Sequence, residues 1–447
     1  MSGNSSFADL GLNTWLVKQC RAIGLAKATA VQEKCIPPIL QGQNCIGCAK
    51  TGSGKTAAFA LPILQNLAKE PFGIYALILT PTRELAFQLA DQFRAFGKPI
   101  GMRDAIVIGG LDIISQSTAL SKKPHIVIAT PGRLADLIDN DSKVHFSKIK
   151  FLVLDEADRL LEASFGPDLG KIFEILPEDR QTLLFSATMT NAMARAQEVA
   201  ASKKPFIYED TDMKISATVE QLDQHYLLMP AVVKDCYFVY LIKQLSLELE
   251  KNPRWNMMIF TSTYNFSNRR SCQILAIMLS RLEFSCAALH SLMPQRQRLG
   301  SLARFKNGLL KILVATDVAS RGLDIPTVEA VVNYNVPLSA DDYIHRVGRT
   351  ARAGKKGMAV TLMTQYDVNR IHNIETTTNV KLLKYEVDEH DVLKLLNIVT
   401  MLRKEIDVRL EESNFGRNRE LNKRKMTFLS KSKKKTKKLK KKKADED

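Results

Sequence analysis

Three short runs recur along the chain in the same order. Leu77-Ile-Leu-Thr80-Pro-Thr82 returns as Met258-Ile-Phe-Thr261-Ser-Thr263. Thr80 stands 29 residues before Gly109, and Thr261 stands 29 residues before His290. Ile128-Ala-Thr130 returns as Val314-Ala-Thr316, 50 and 55 residues beyond the first threonine of each copy. One trio repeats easily by chance, whereas three in one order at matched spacing require two copies of one folding unit. Within each copy, short β-rich runs alternate with longer helical patterns, which is how a parallel sheet covered by helices reads. The expected strands of the first copy are 44–48, 75–79, 105–108, 125–129, 151–154, 182–185 and 206–208. Those of the second are 225–229, 256–260, 286–289, 311–315, 328–333 and 358–362.

The spacing divides the chain into an α/β domain at 1–208, a polar aperiodic linker at 209–223 and a second α/β domain at 224–375. Residues 376–415 form a helical extension, because Val392, Leu393, Leu395, Leu396, Val399 and Leu402 fall at helical spacing with Asp391 placed to cap them. Residues 416–447 hold too little apolar material for a core and are expected to be a disordered basic tail. Residues 417–447 carry +11 of the formal charge of +17, leaving +6 for the rest, so the excess is a polyanion-binding tail on a mildly basic body.

A length of 447 residues suits two domains and a tail, and 45% hydrophobic with 25% charged residues is a globular composition. Apolar runs such as 75–79 are far too short to cross a bilayer, and the opening residues lack a secretory pattern, so no membrane is expected. The seven cysteines are odd in number and scattered, which suits a reducing compartment. Cys45 and Cys48 lack a second pair to complete a zinc site and read as small residues of a strand.

Ala49-Lys50-Thr51-Gly52-Ser53-Gly54-Lys55-Thr56 follows a strand and opens a helical run, the context a phosphate-binding loop requires. Its glycines free backbone N–H groups to wrap a phosphate, Lys55 reaches the outer phosphates and the Thr56 hydroxyl can bind Mg²⁺. Asp155-Glu-Ala-Asp158 follows the apolar strand 151–154. With the loop upstream, Asp155 is assigned to the metal and Glu156 to the attacking water. His345-Arg-Val-Gly-Arg-Thr-Ala-Arg352 brings three arginines from the second domain, positive charge that a γ-phosphate would meet only on domain closure.

These motifs, with Gln32, Pro81-Thr-Arg-Glu-Leu-Ala86, Gly109-Gly110, Thr130-Pro-Gly-Arg133, Ser186-Ala-Thr188 and Ala315-Thr-Asp-Val-Ala-Ser-Arg-Gly-Leu-Asp324, resemble the DEAD-box ATP-dependent RNA helicases over roughly residues 7–365. The resemblance implies two tandem RecA-like domains, ATP as the nucleotide and RNA as the polymer. It implies that Phe7 stacks on adenine, Gln32 reads the adenine edge and Asp324 holds the ribose. Arg349 and Arg352 would be the arginine fingers, and Ser186, Thr188 and His345 would couple the ATP site to the second domain. Arg83, Gly110, Thr130 and Arg133, with Arg298 and Thr316, would grip RNA, mostly through phosphate and sugar, without reading sequence.

Ala28 and Ala30 stand where the family commonly has prolines, Ala351 replaces a glycine, and Ala163-Ser164-Phe165 lacks the usual glycine. The body and lysine-rich tail look most like the nucleolar, small-subunit ribosomal RNA processing branch, which implies a monomeric motor on pre-ribosomal RNA with a protein cofactor. Lys433 to Lys443 suits nuclear import or retention on RNA, or simply a solvated tail. Other readings are an ATP-gated RNA clamp with little turnover, a DNA-directed helicase on the same fold, and a helicase of mRNA export or splicing.

Overall fold

The structure is a computed structural model that describes residues 5–50, 52–71, 73–140, 146–187, 189, 205–210, 222–253, 255–262, 266–317, 325–351 and 356–413. Thr51, Thr188, Asp324, Arg352, most of the expected linker and the whole basic tail lie outside the described residues. The chain divides into two compact units near residue 217.

The first unit is built on β1 (Cys45–Cys48), β2 (Ala76–Leu79), β3 (Asp104–Val107), β4 (Ile126–Ala129), β5 (Phe151–Asp155), β6 (Gln181–Ser186) and β7 (Phe206–Glu209). They form one sheet in the order β3-β4-β2-β5-β6-β1-β7, with every pairing parallel. Side chains alternate faces along a strand. Ile78, Ile128, Val153 and Leu183 therefore enter one apolar cluster, while Leu77, Val127, Leu152 and Leu184 enter another on the opposite face. A parallel sheet covered on both faces needs continuous apolar strands, and four-residue strands such as Ala-Leu-Ile-Leu meet that need with every residue buried. Cys45 and Cys48 are buried free thiols at the two ends of β1, as the strand reading expects.

The second unit contains β8 (Leu222–Leu228), β9 (Met257–Thr261), β10 (Cys286–Leu289), β11 (Ile312–Thr316), β12 (Ala330–Asn333), β13 (Gly357–Met363) and β14 (Leu383–Lys384). Its order, β10-β11-β9-β12-β13-β8-β14, repeats the first sheet strand for strand. The three sequence echoes fall on equivalent strands: β2 with β9, β3 with β10 and β4 with β11.

The C-terminal extension departs from expectation in detail. It begins with β14, an exposed two-residue edge strand paired with β8. The cap of the next helix, Glu389–Lys394, is Asp388, whose carboxylate accepts from the N–H groups of His390 and Asp391; Asp391 itself lies in the first turn. A second helix, Leu396–Glu412, buries Val399, Ile406 and Leu410 in the second core. Arg403 fastens it, donating to Asp235 at 2.8 Å, while Tyr334 donates to the other Asp235 oxygen at 2.6 Å. The helix Val368–Thr378 runs through residue 375, so the expected domain edge falls inside a helix.

Candidate active site and nucleic-acid interface

The carboxyl edge of the first sheet holds two groups of residues on neighbouring strands. β5, β6 and β1 are adjacent and end at Asp155, Ser186 and the loop that begins with Ala49. β3, β4 and β2 are also adjacent and lead into Gly109-Gly110, Thr130 and Thr82-Arg83.

In the first group the loop is set by backbone geometry. Gly52 and Gly54 have φ of +83° and +92°, the left-handed region that glycine enters without strain. A Cβ on Gly54 would also come within 2.3 Å of the Gln32 amide. Gly54 caps the helix Lys55–Leu67, whose first turn carries half-buried Thr56. Ala49 is buried and its N–H donates to the Ser186 carbonyl at 3.1 Å, tying the loop to the end of β6. Lys50 and Gly52 are exposed, and Ser53 is half-buried with its N–H bonded to the Lys50 carbonyl at 3.2 Å.

Lys55 donates to the carbonyls of Ala49 at 2.5 Å and Lys50 at 2.9 Å. Burial pushes its pKa down, while Asp155 and Glu156 pull the other way. A phosphate entering the loop would replace these two carbonyls as the partner of the ammonium group. Burial, then the neighbouring Glu156 carboxylate, push Asp155 up to about 7. Glu156 itself has φ +55°, a left-handed conformation that is rare outside glycine and clusters at functional sites.

Gln32 is 2% exposed and braces this loop: its Oε1 accepts from Thr29 N–H at 2.9 Å and its Nε2 donates to the Gly54 carbonyl at 3.1 Å. These two bonds use one acceptor site and one N–H of the amide. Phe7 is 1% exposed and packs within the first apolar core.

In the second group, Arg83 lies against Gly109, where a Cβ would come within 2.7 Å of its guanidinium. Arg133 donates to the Leu111 carbonyl at 2.9 Å. Gly110 has φ +87°, and Thr130 is buried at the end of β4. Both arginines therefore converge on the loop after β3.

In the second unit, Thr316 is buried at the end of β11 and Arg298 is buried in the helix Gln295–Lys306. His345 is half-buried and Arg349 buried. Arg346 is committed to the second core, pairing both carboxylate oxygens of Asp317 at 2.6 and 2.8 Å and donating to the Asn335 carbonyl at 2.7 Å. Arg346 therefore braces the fold of the second unit. Its partner Asp317, 29 residues away, lies in the run Ala315 to Asp324, and neither run by itself gives the pairing. Ala351 has φ +52°, so the glycine it replaces would have been unstrained there. Residues 163–165 have no positive φ, and nothing in the turn demands a glycine.

Fold and loop together place the chain among tandem RecA-like P-loop ATPases. Residues 29–196 match the DEAD/DEAH box helicase family and residues 238–354 match the helicase conserved C-terminal domain. The chain is 52% identical over 428 residues to the probable ATP-dependent RNA helicase DDX49 of Homo sapiens, covering 95% of this chain and 86% of that one. It is 47% identical to the ATP-dependent RNA helicase DBP8 of Meyerozyma guilliermondii, covering 97% of this chain and 100% of that one. The solved structure of Mss116p bound to single-stranded RNA and AMP-PNP is similar with a TM-score of 0.77 at 31% identity, over 93% of this chain and 88% of that one. The chain belongs to the DEAD/DEAH box helicase family, as an ATP-dependent RNA helicase.

Proposed function

We propose that ATP binds the loop of the first unit, that RNA is held by its backbone, and that hydrolysis is coupled to local strand separation in pre-ribosomal RNA. The reading takes 1–208 as the ATP-binding domain, 209–223 as linker, 224–375 as the second helicase domain, 376–415 as its helical extension and 416–447 as the tail. The observation that carries it is the convergence of Lys55, Asp155, Glu156 and Ser186 on three adjacent strand ends and the loop they enclose.

The donor set fits Mg²⁺. Asp155 is a buried carboxylate whose own burial raises its pKa to about 7, a cost that a bound cation would relieve. Thr56 and Asp155 would hold the ion, which when bound supplies charge neutralisation at the phosphates. Lys55 holds the outer phosphates, and Glu156 orients the attacking water and takes its proton. Arg349 and Arg352 meet the developing γ-phosphate charge, Asp324 holds the ribose and Gln32 reads the base. Ser186, Thr188 and His345 transmit the nucleotide state. Arg83, Gly110, Thr130 and Arg133 hold one stretch of RNA, and Arg298 and Thr316 hold the next.

We place the motor, as a monomer beside a protein cofactor, on small-subunit precursors in the nucleolus; the lysine-rich tail supports the nuclear placement and retention on RNA. Crosslinking the full chain to RNA in cells and sequencing the bound fragments tests this. Precursor ribosomal RNA is expected, and fragments drawn mainly from messenger RNA would contradict it. Removing the tail should also flatten the salt dependence of RNA binding by a few units, at roughly −0.7 per phosphate neutralised.

A further inference from the structure

The loop after β3 is braced far more heavily than two phosphate contacts require. Gln116 is 5% exposed and its amide is used at both ends: Oε1 accepts from Ile108 N–H at 2.9 Å, and Nε2 donates to the carbonyls of Ile108 and Asp112, both at 3.1 Å. Asp112 caps the next helix, Ile113–Ser121, by accepting from Ser115 N–H at 2.8 Å. Arg133 holds the Leu111 carbonyl from the far side, and Arg83 covers Gly109.

A segment tied this closely cannot fold its side chains inward at will. It turns aliphatic groups to solvent: Leu111 is 41% exposed, Ile113 39% and Ile114 72%. The helix that carries the isoleucines buries only Gln116 and Leu120. Aliphatic side chains fixed in the open, beside two arginines, have no role in the core of the first unit.

We infer that Leu111 and Ile114 form an apolar step against which RNA bases pack, with Gln116 as the residue that positions it. The inference rests on the reading that Arg83 and Arg133 hold the RNA backbone. A strand gripped by its phosphates presents base faces, which are apolar, flat and common to all four bases. Aliphatic contact with them adds affinity without sequence preference, in the way that stacking platforms do. A paired duplex hides those faces, so the step also favours the separated strand over the duplex.

The test uses the full chain with a non-hydrolysable ATP analogue and two probes: a short single-stranded oligoadenylate and the same oligomer with abasic sugars at its central positions. The wild type is expected to bind the base-containing oligomer more tightly. The double variant Leu111→Ser, Ile114→Ser should lose roughly three- to tenfold in affinity, confined to that oligomer, which is the scale for a small buried apolar contact. Ile114→Met keeps an apolar surface and should keep the preference. Gln116→Leu should lower the preference without changing the KM for ATP, a split that a merely destabilised fold would not give. Gln116→Glu, which can still accept from Ile108, should recover part of it. Arg83→Ala should weaken both oligomers alike; if it weakens neither, the backbone reading fails on its own. A double variant that keeps the wild-type preference, an equal loss on both oligomers, or a wild type with no preference would each overturn the apolar step.

Discussion

The two sheets share one strand order, yet their carboxyl edges carry different chemistry. β5 ends in Asp155-Glu156, while the equivalent β12 ends in Asn333-Tyr334. Asn333 is engaged at both ends of its amide inside its own unit, donating to Thr361 at 3.0 Å and accepting from Arg346 at 3.2 Å. Asp155 is instead a carboxylate whose burial holds its pKa near 7. β1 runs into a glycine loop with two left-handed positions, whereas the equivalent β8 runs into Met229-Pro230. At this pair of strands the duplicated scaffold leaves one end poised for a ligand and ties up the other. Function lies in those few residues and not in the topology.

The largest expected effect strikes at the poised unit. Glu156→Gln keeps the shape of the left-handed turn but removes the base, so phosphate release should fall by ~10²–10⁴-fold. RNA affinity with a non-hydrolysable analogue should be retained. Multiple-turnover release near the wild-type rate would end the assignment.

The tied-up unit should answer in stability instead. Arg346→Ala leaves Asp317 without its bidentate partner and should cost the second unit about 3–5 kcal/mol, read from its unfolding in denaturant. If stability is unchanged, the contrast between poised and satisfied strand ends is wrong.

Asp155→Asn should have the opposite sign. An Asp in the unfolded chain ionises near pH ~4, whereas the folded group ionises at about 7. The folded state therefore binds the extra proton between those values, and its stability falls as pH rises through that window. The neutral variant should be more stable than wild type at pH 8, by about 4 kcal/mol for a pKa raised from about 4 to about 7, and no more stable at pH 4. Thermal melts without nucleotide at the two pH values decide it.

The smallest effects concern departures from the family pattern. Ala351→Gly relieves a left-handed alanine and should stabilise by about 0.5 kcal/mol. Ala30 is the first residue of its helix, where proline is tolerated, so Ala30→Pro should add ~0.4–1 kcal/mol. Ala28→Pro should instead lose about 1 kcal/mol, because it deletes the Ala28 N–H bond to the Ser5 carbonyl. Equal responses at the two alanines would show that local backbone geometry does not govern them.

Much of this was legible in the sequence because parallel strands buried on both faces are continuous apolar runs. The thirteen expected strands all appear, with edges within a few residues. β14 escaped because a two-residue exposed edge strand has no pattern to read. Asp388 is not legible as the cap because Asp391 stands nearer the apolar run that marks the helix. The nucleotide loop was legible because its glycines are demanded by local backbone conformation. Gln116 and the burial of Phe7 depend on what folds against them from elsewhere in the chain, and Arg346 and Asp317 stand in two marked runs whose pairing neither run gives.

The proposed function lends Arg349 and Arg352 to the nucleotide of the first unit, and it therefore predicts that ATP and RNA reinforce each other's binding. Coupling of that kind is reciprocal and typically worth about 1–3 kcal/mol, or some 5–150-fold in affinity. The direct measurement is RNA affinity with and without a non-hydrolysable ATP analogue, in wild type and in Arg349→Ala. The account predicts tighter RNA binding with the analogue in wild type, most of that gain lost in the variant, and nucleotide-free RNA binding nearly the same in both. Wild-type protein that binds RNA equally well in the two conditions would contradict it.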